Sequence, residues 1–354
     1  MQHDGSLSFQ IIFLSILLIA ALAISLPASG KSAAGEPLRI FFVDVEGGQA
    51  TLFVTPAKES LLIDTGWPGN DGRDADRIVA AEKAAGVNKI DYVLITHFHN
   101  DHVGGLPQLV ARTPVGTVID HGDNRESTDA PTVQVWHAYQ QLLAEKKLKR
   151  ITAKPGDNLP IHGIQATVVS SDGAVLANSL PGAGAQNAAC ANSQQYPQDH
   201  TENLRSLGTL LTFGKLRILD LGDLTRDKEM ELVCPNNKLG PIDIYIVSHH
   251  GWYQSGSPEF LNAIAPRVAI MDNGAKKGGT PSAWDIIEKS PRLEDLWQLH
   301  FSEEGGADHN VASQFIANPQ GPDDGRYLEL TAWPDGRFEV FNSRTTTTKR
   351  YPAR

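Results

Sequence analysis

The chain is poor in cysteine. It has two, Cys190 and Cys234, and no CxxC pair, which excludes a zinc site built on paired cysteines. Both sit in loop-like contexts, "NAACANS" and "ELVCPNN". In an exported chain such an even pair is expected to close a disulfide. Clustered positive charge is also missing. The net charge is −10, and the basic stretch "EKKLKR" at residues 145–150 reads as a solvated helix end. Nucleic-acid binding needs grouped Lys and Arg to neutralise phosphates, so nucleic acid is a disfavoured partner. No GxSxG marks a serine nucleophile, and no internal repeat occurs. Composition is otherwise ordinary for a globular protein, 41% hydrophobic and 20% charged.

The apolar run "IIFLSILLIAALAISL" occupies residues 11–26, followed by Pro27 and the small residues "ASG". The run is slightly short for a membrane span and has no polar face. Residues 1–30 are therefore expected to be a cleaved secretory signal, which implies a periplasmic or extracellular protein without a stable membrane span. The preceding "MQHDGSLSFQ" lacks Lys and Arg, which keeps an uncleaved N-terminal anchor as the alternative. A linker at residues 31–37, one domain at 38–345 and a tail at 346–354 follow.

Within that domain, strand-like runs at 38–45, 50–54 and 61–63 precede a helix pattern at 74–86 with acids in its first turn and Gly86 at its end. A strand at 89–95 leads into "THFHNDHVGG". A short helix, "LPQLVAR", a strand, "VGTVID", and an amphipathic helix at 132–148 come next. Residues 173–200, rich in Ala, Gly, Asn, Ser and Gln, read as a long loop. Two strands flank the Phe213-Gly214-Lys215 turn, and "IDIYIVSHHG", "VAIMDNG" and "DLWQLHFS" supply three more, with a helix at "PSAWDIIEKS". A hairpin around Pro334-Asp335-Gly336 ends the pattern. Helices alternate with strands that also pair as hairpins. This predicts two mixed sheets faced by helices, a four-layer αββα sandwich of the α/β (α+β) class.

The chemistry is concentrated where that strand at 89–95 ends. His97 and His99 are two apart on chain leaving a strand, so both imidazoles can face one ion. Asp101 and His102 follow at the turn and can face a second. Imidazole with carboxylate is a Zn2+-type ligand set. Gly104 and Gly105 admit close backbone approach. Asp223 in "LDLGDLT" and the pair His249-His250 end other apolar strands in the same manner. Asp64 in "LLIDTG" is placed to hydrogen-bond a ligand histidine and fix its tautomer. His121 ends a strand and is a weaker candidate for lining a pocket, and His300 and His309 carry no assigned role.

"THFHNDH" resembles the HxHxDH signature of the metallo-β-lactamase superfamily. The order of "FFVDVEGGQATLFVTP", "LLIDTG", "THFHNDHVGG", "ENLRSLGTLLTFGKLRILDLGDL" and "IDIYIVSHHG" is similar to that of ComEC-type C-terminal domains and phosphorylcholine esterases. The resemblance implies the αββα fold and a two-metal hydrolytic site, with Zn2+ expected and Mn2+ an alternative. It implies His97 and His99 on metal 1, Asp101 and His102 on metal 2, Asp223 bridging, and one of His249 and His250 completing metal 2. We favour His250 as that ligand, with His249 facing substrate; Asp101, Asp223 and His249 would then carry the catalysis. Many members place a histidine before the bridging aspartate as the last metal 1 ligand. Here "QDHTENLRS" offers His200, with Asn203 nearer the strand. The implied reaction is hydrolysis of a phosphodiester or related ester, or another small-molecule substrate, by hydroxide made available when a bound cation lowers the pKa of water to about 7. The other readings are a ComEC-like nuclease, a β-lactam or lactone hydrolase, and a metal-binding protein without turnover. Oligomeric state is not legible.

Overall fold

The computed structural model describes residues 35–354. The expected signal or anchor at residues 1–30 lies outside the described residues, as does most of the expected linker. Along the chain, β1 (Leu38–Phe42), β2 (Thr51–Val54) and β3 (Ser60–Ile63) are followed by α1 (Arg73–Ala85), β4 (Ile90–Leu94), α2 (Asn100–Val103), α3 (Leu106–Val110), β5 (Val115–Asp120), α4 (Ala130–Lys146) and β6 (Lys149–Thr152). Then come β7 (Gln165–Ser171), β8 (Ala174–Val175), β9 (Gly208–Phe213), β10 (Leu216–Asp220), α5 (Arg226–Val233), β11 (Ile244–Ile246), α6 (Pro258–Ile264), β12 (Val268–Met271), α7 (Pro281–Glu288) and β13 (Asp295–His300). The last strands are β14 (Ile316–Asn318), β15 (Leu328–Ala332), β16 (Phe338–Asn342) and β17 (Thr347–Tyr351).

The strands form two sheets. One has the order β17-β16-β15-β1-β2-β3-β4-β5-β6, the other β14-β13-β12-β11-β10-β9-β7-β8. Strand residues alternate between two hydrophobic layers. Ile40 and Phe42 of β1 face the core between the sheets, while Phe41 faces the layer under α1, α3 and α4. On the second sheet Ile218 points to the shared core and Leu219 to the layer under α5, α6 and α7. Apolar layers on both faces explain why these strands read as near-continuous hydrophobic runs. The arrangement is the four-layer αββα sandwich.

Two sets of parallel strands position the site. β3 to β6 run parallel in one sheet, and β10 to β14 run parallel in the other. Their carboxyl ends carry the segments beginning at Asp64, Ile95, His121, Leu221, Val247 and Asp272. The carboxyl ends of parallel strands are where open α/β sheets place their ligands.

The boundary expected at 345 is corrected by the structure. Residues 347–351 form β17, an edge strand paired antiparallel with β16. Four of its residues are exposed and polar, so it lacks a hydrophobic pattern. Tyr351 alone is buried, stacked on Phe338, accepting a hydrogen bond from Trp297 Nε1 at 2.9 Å and donating one to Asp295 Oδ2 at 2.7 Å. Among the described residues no helix is long and apolar enough to cross a membrane.

Candidate metal centre

The histidine turn begins where β4 ends. Thr96 and His97 lie in irregular chain, His99 is extended, and α2 starts at Asn100, so Asp101 and His102 lie in its first turn. Gly105 lets this turn approach Thr65, with its N–H donating to Gly66 O at 2.9 Å. After β11 the chain turns sharply. His249 and His250 both take left-handed backbone, at φ 55° and 54°, and Asp64 does so at φ 60°. Non-glycine residues rarely hold that conformation, and its cost of about 1–3 kcal/mol per residue is typical of functional sites.

These segments bring the predicted residues to one place. One oxygen or ring nitrogen from each of Asp101, His102, Asp223 and His250 lies within 4.8 Å of the other three. His102 Nε2 is 3.2 Å from both Asp101 Oδ2 and Asp223 Oδ1. His250 Nε2 is 3.3 Å from Asp101 Oδ2 and 3.4 Å from Asp223 Oδ1. The other carboxylate oxygen of Asp223 faces the remaining histidines, with Oδ2 at 3.9 Å from His97 Nε2 and 3.4 Å from His249 Nε2. His97 Nε2 and His99 Nδ1 face each other at 3.0 Å. Asp223 thus stands between two groups of imidazoles and turns one oxygen to each.

The ring nitrogens pointing away from this cluster meet oxygen atoms. His102 Nδ1 is 2.7 Å from Asp64 Oδ2, and Asp64 is itself held by Thr96 N and Oγ1. His99 Nε2 meets Glu126 Oε2 at 3.1 Å. His97 Nδ1 lies 3.0 Å from Thr96 Oγ1 and His249 Nδ1 lies 3.3 Å from Ser255 Oγ, while His250 Nδ1 faces Asp272 Oδ1 at 3.3 Å without a hydrogen bond. Such tethers fix ring orientation and leave the inner nitrogens free for a cation.

The electrostatics agree with the geometry. Burial alone would raise the Asp101 and Asp223 carboxyls, but Lys277 and His102 beside Asp101, and His102 and His249 beside Asp223, hold both well below the usual range. Against the pull of burial, Asp223, Asp101 and Asp64 push His102 well above its ordinary value. His250 is raised to about 9 by the neighbouring carboxylates, against burial and Lys277. His249 is lowered to about 4, chiefly by burial, and burial likewise holds His97 well below its usual value. Asp223 Oδ1 is buried without a hydrogen-bond partner. A buried anionic oxygen so placed is costly unless a cation compensates it. The donor set of imidazole and carboxylate fits Zn2+ or Mn2+.

Some candidates stand elsewhere. His200 is exposed and outside the cluster. Its segment is anchored on the α5–α6 side instead, through the Cys190–Cys234 disulfide and the Tyr196 hydroxyl on Glu259 Oε2. Asn203 is buried, with its Oδ1 unpartnered. His121 bonds Glu202 Oε2 at 2.9 Å and lines a separate cavity of about 550 Å³. His300 lies 2.6 Å from Asp44 Oδ1 and, with Glu46, forms a second group of ligand-type atoms. Arg77 pairs with Asp44 at 3.0 Å there, so that group already contains its cation. His309 stands near the surface, 3.9 Å from Asp285.

Sequence reasoning missed Glu126, Ser255, Asp272 and Lys277. Asp272 had a usable signal, since it ends an apolar strand as Asp223 nearly does. Glu126 and Lys277 lie in irregular loops, and no local pattern points to them. Lys277 Nζ contacts Asp101 Oδ2 and sits 5.1 Å from the centre of the Trp67 ring.

Residues 43–184 match the family profile of the metallo-beta-lactamase superfamily. The chain carries a metallo-beta-lactamase superfamily domain. Among its relatives, ComE operon protein 3 of Bacillus subtilis (strain 168) is 27% identical over 194 residues, 54% of this chain and 21% of that protein. An atrochrysone carboxyl ACP thioesterase of Passalora fulva is 31% identical over 109 residues, 31% of each chain. The chain thus spans about a fifth to a third of the length of these curated relatives. Among solved structures, the metallo-beta-lactamase fold protein YhfI from Bacillus subtilis aligns with a TM-score of 0.44 at 13% identity, covering 74% of this chain and 96% of that one.

Proposed function

We propose that the chain is an exported, zinc-dependent hydrolase that cleaves a phosphodiester or a related ester. The observation that carries this reading is the convergence of His97, His99, Asp101, His102, Asp223, His249 and His250, with the outer nitrogens of His99 and His102 tethered and Asp223 Oδ1 buried without a hydrogen-bond partner. A divalent cation held by these residues supplies Lewis acidity and a water acidified to about pKa 7. The chain's own groups do the remaining work. Asp101 and Asp223 provide the negative charge that retains the cation, and Asp64 and Glu126 keep the His102 and His99 rings aimed inward. Lys277, held at the mouth over Trp67, gives an anionic ester a positive charge to meet, which favours a phosphoryl substrate over a neutral one. A thioesterase among the relatives supports hydrolysis at an acyl or related centre.

Export is supported by the Cys190–Cys234 disulfide, which suits an oxidising compartment, and by the apolar segment at residues 11–26. Recovery of the chain from the periplasmic or extracellular fraction of an expressing bacterium tests that part. For the reaction, metal content of the wild type and His97→Ala is measured beside turnover of bis(4-nitrophenyl) phosphate, a lactone and nitrocefin. Bound metal with phosphodiester turnover, reduced in the variant, is expected. Metal without turnover of any ester would instead identify a non-catalytic metal-binding protein.

A further inference from the structure

Beside the metal centre lies a cavity of about 360 Å³, lined in part by Tyr196, Gln198, Thr225, Arg226, Tyr253 and Gln254. It is one residue removed from the cluster. Ser255 Oγ meets His249 Nδ1 at 3.3 Å, and Ser255 O accepts from Arg226 Nε at 3.3 Å. Thr225 follows Asp223 by two positions.

Three features of its wall point to a ligand. The Arg226 guanidinium lies 5.5 Å from the centre of the Tyr196 ring, and its Nη2 is buried with no hydrogen-bond partner. Its Nε is taken by Ser255 O, and among the described residues no carboxylate reaches the guanidinium at ion-pair distance. The acid in the lining, Asp199, is turned toward its own loop, its Oδ1 accepting from Thr201 N and Oγ1. Tyr253 is the one large hydrophobic side chain left exposed among the described residues, at 52%. A planar aromatic face beside a guanidinium suits a flat ring that bears an acidic group. The ring stacks on the aromatic and the acid meets the charge of the Arg226 guanidinium.

The walls are held from outside. The loop that supplies Tyr196 and Gln198 follows Cys190, and Cys190 is bonded to Cys234, the residue that ends α5. Arg226 begins the same helix. The Tyr196 hydroxyl is fixed on Glu259 Oε2 at 2.8 Å. The disulfide therefore limits how far one wall can move from the other, and a pre-formed pocket loses less entropy on binding.

We propose that this cavity binds the non-reacting part of the substrate, an aryl group carrying a carboxylate or phosphate. As a specificity site, it rests on the hydrolase reading above. As a binding site, it can be tested apart from it. Full-length protein is freed of metal by chelation and dialysis, then titrated calorimetrically with phenyl phosphate, benzoate, cyclohexanecarboxylate and benzyl alcohol. Saturable binding of the two aryl anions at about 1 mM or tighter is expected. The saturated acid and the neutral alcohol are expected to bind at least several-fold more weakly. Tyr253→Ala, at an exposed position, should weaken the aryl anions several-fold with an unchanged melting temperature. Arg226→Lys should weaken them tenfold or more by losing the planar guanidinium. Absence of aryl-anion binding, or equal binding to wild type and both variants, overturns the proposal. Aryl anions that bind while no ester is turned over would leave the pocket standing and remove the hydrolase. Turnover without aryl-anion binding would do the reverse.

Discussion

The two sides of Asp223 differ in how completely the chain encloses them. On the Oδ1 side, Asp101, His102 and His250 bring two carboxylates and two imidazoles within 4.8 Å of one another. On the Oδ2 side, His97, His99 and His249 share a single carboxylate oxygen, with the closest distance to it 3.4 Å. The Oδ1 side holds two ionised carboxylates, while on the Oδ2 side His97 and His249 are kept neutral by burial. The difference teaches that the number of carboxylate ligands, rather than histidine count, ranks the two sides as cation sites. The Asp44–Glu46–His300 group also has the ligand types, but Arg77 and His300 already hold the two Asp44 oxygens, at 3.0 and 2.6 Å.

The comparison breaks most completely at the residue both sides share. Asp223→Ala is expected to empty both sides and to lower hydrolysis by roughly a hundredfold or more, since an anion is removed from every cation contact at once. Metal analysis of the purified variant checks it. Retention of two ions would show that Asp223 does not join the sides. The next change separates them. His250→Ala should lose the tighter ion first, and His249→Ala only the weaker one. Equilibrium dialysis against zinc reads the difference as loss of the high-affinity or the low-affinity step.

Smaller effects come from the tethers. Asp64→Asn should weaken the Oδ1 side and Glu126→Gln the Oδ2 side, each by about 10–100-fold in metal affinity. Asp64 is buried and sits 2.7 Å from His102, whereas Glu126 sits 3.1 Å from a partly exposed His99. The larger loss is therefore expected for Asp64→Asn. Equal losses would mean that the two sides are tethered with equal strength.

Much of this contrast was legible in the chain before its fold was known. His97, His99, Asp101 and His102 are close in sequence, so one turn can present them together. Asp223 and His249–His250 follow apolar runs, and parallel strands deliver their ends to a common edge. The two Asp223 oxygens facing opposite ways could not be read, because that depends on how two sheets pack. Glu126 and Lys277 were illegible for a related reason. Each meets the centre from a loop whose path is set by distant contacts, Glu126 by Glu202 N, and Lys277 by the packing of Gly274 against Glu46 and the Glu303 N–H bond to Ala275 O. In the fold itself, β17 escaped notice because an exposed edge strand needs no hydrophobic alternation. Helix α5, "RDKEMELV", escaped because its eight residues carry few apolar positions. The disulfide partners could be named only because there are two cysteines.

Glu229 carries a pH dependence that belongs to the scaffold rather than to either side of Asp223. Glu229 is fully buried, accepts backbone N–H bonds from Gly256 and Ser257, and is raised to about 7 by burial. Its ordinary value is 4.5. The unfolded chain therefore releases this proton at lower pH than the folded one. Between about pH 4.5 and 7 the folded state binds more protons, so stability falls as pH rises, by at most about 1.4 kcal/mol per unit from this group. Below that window the group adds no slope, and above it the full cost persists. Glu229→Gln cannot ionise and should flatten that part of the stability curve of the metal-free protein while leaving zinc affinity on both sides unchanged. Urea unfolding at half-unit pH steps measures the first, and equilibrium dialysis the second. A variant that kept the slope would place its origin in another buried carboxyl, Asp220 first, which burial also raises to about 7.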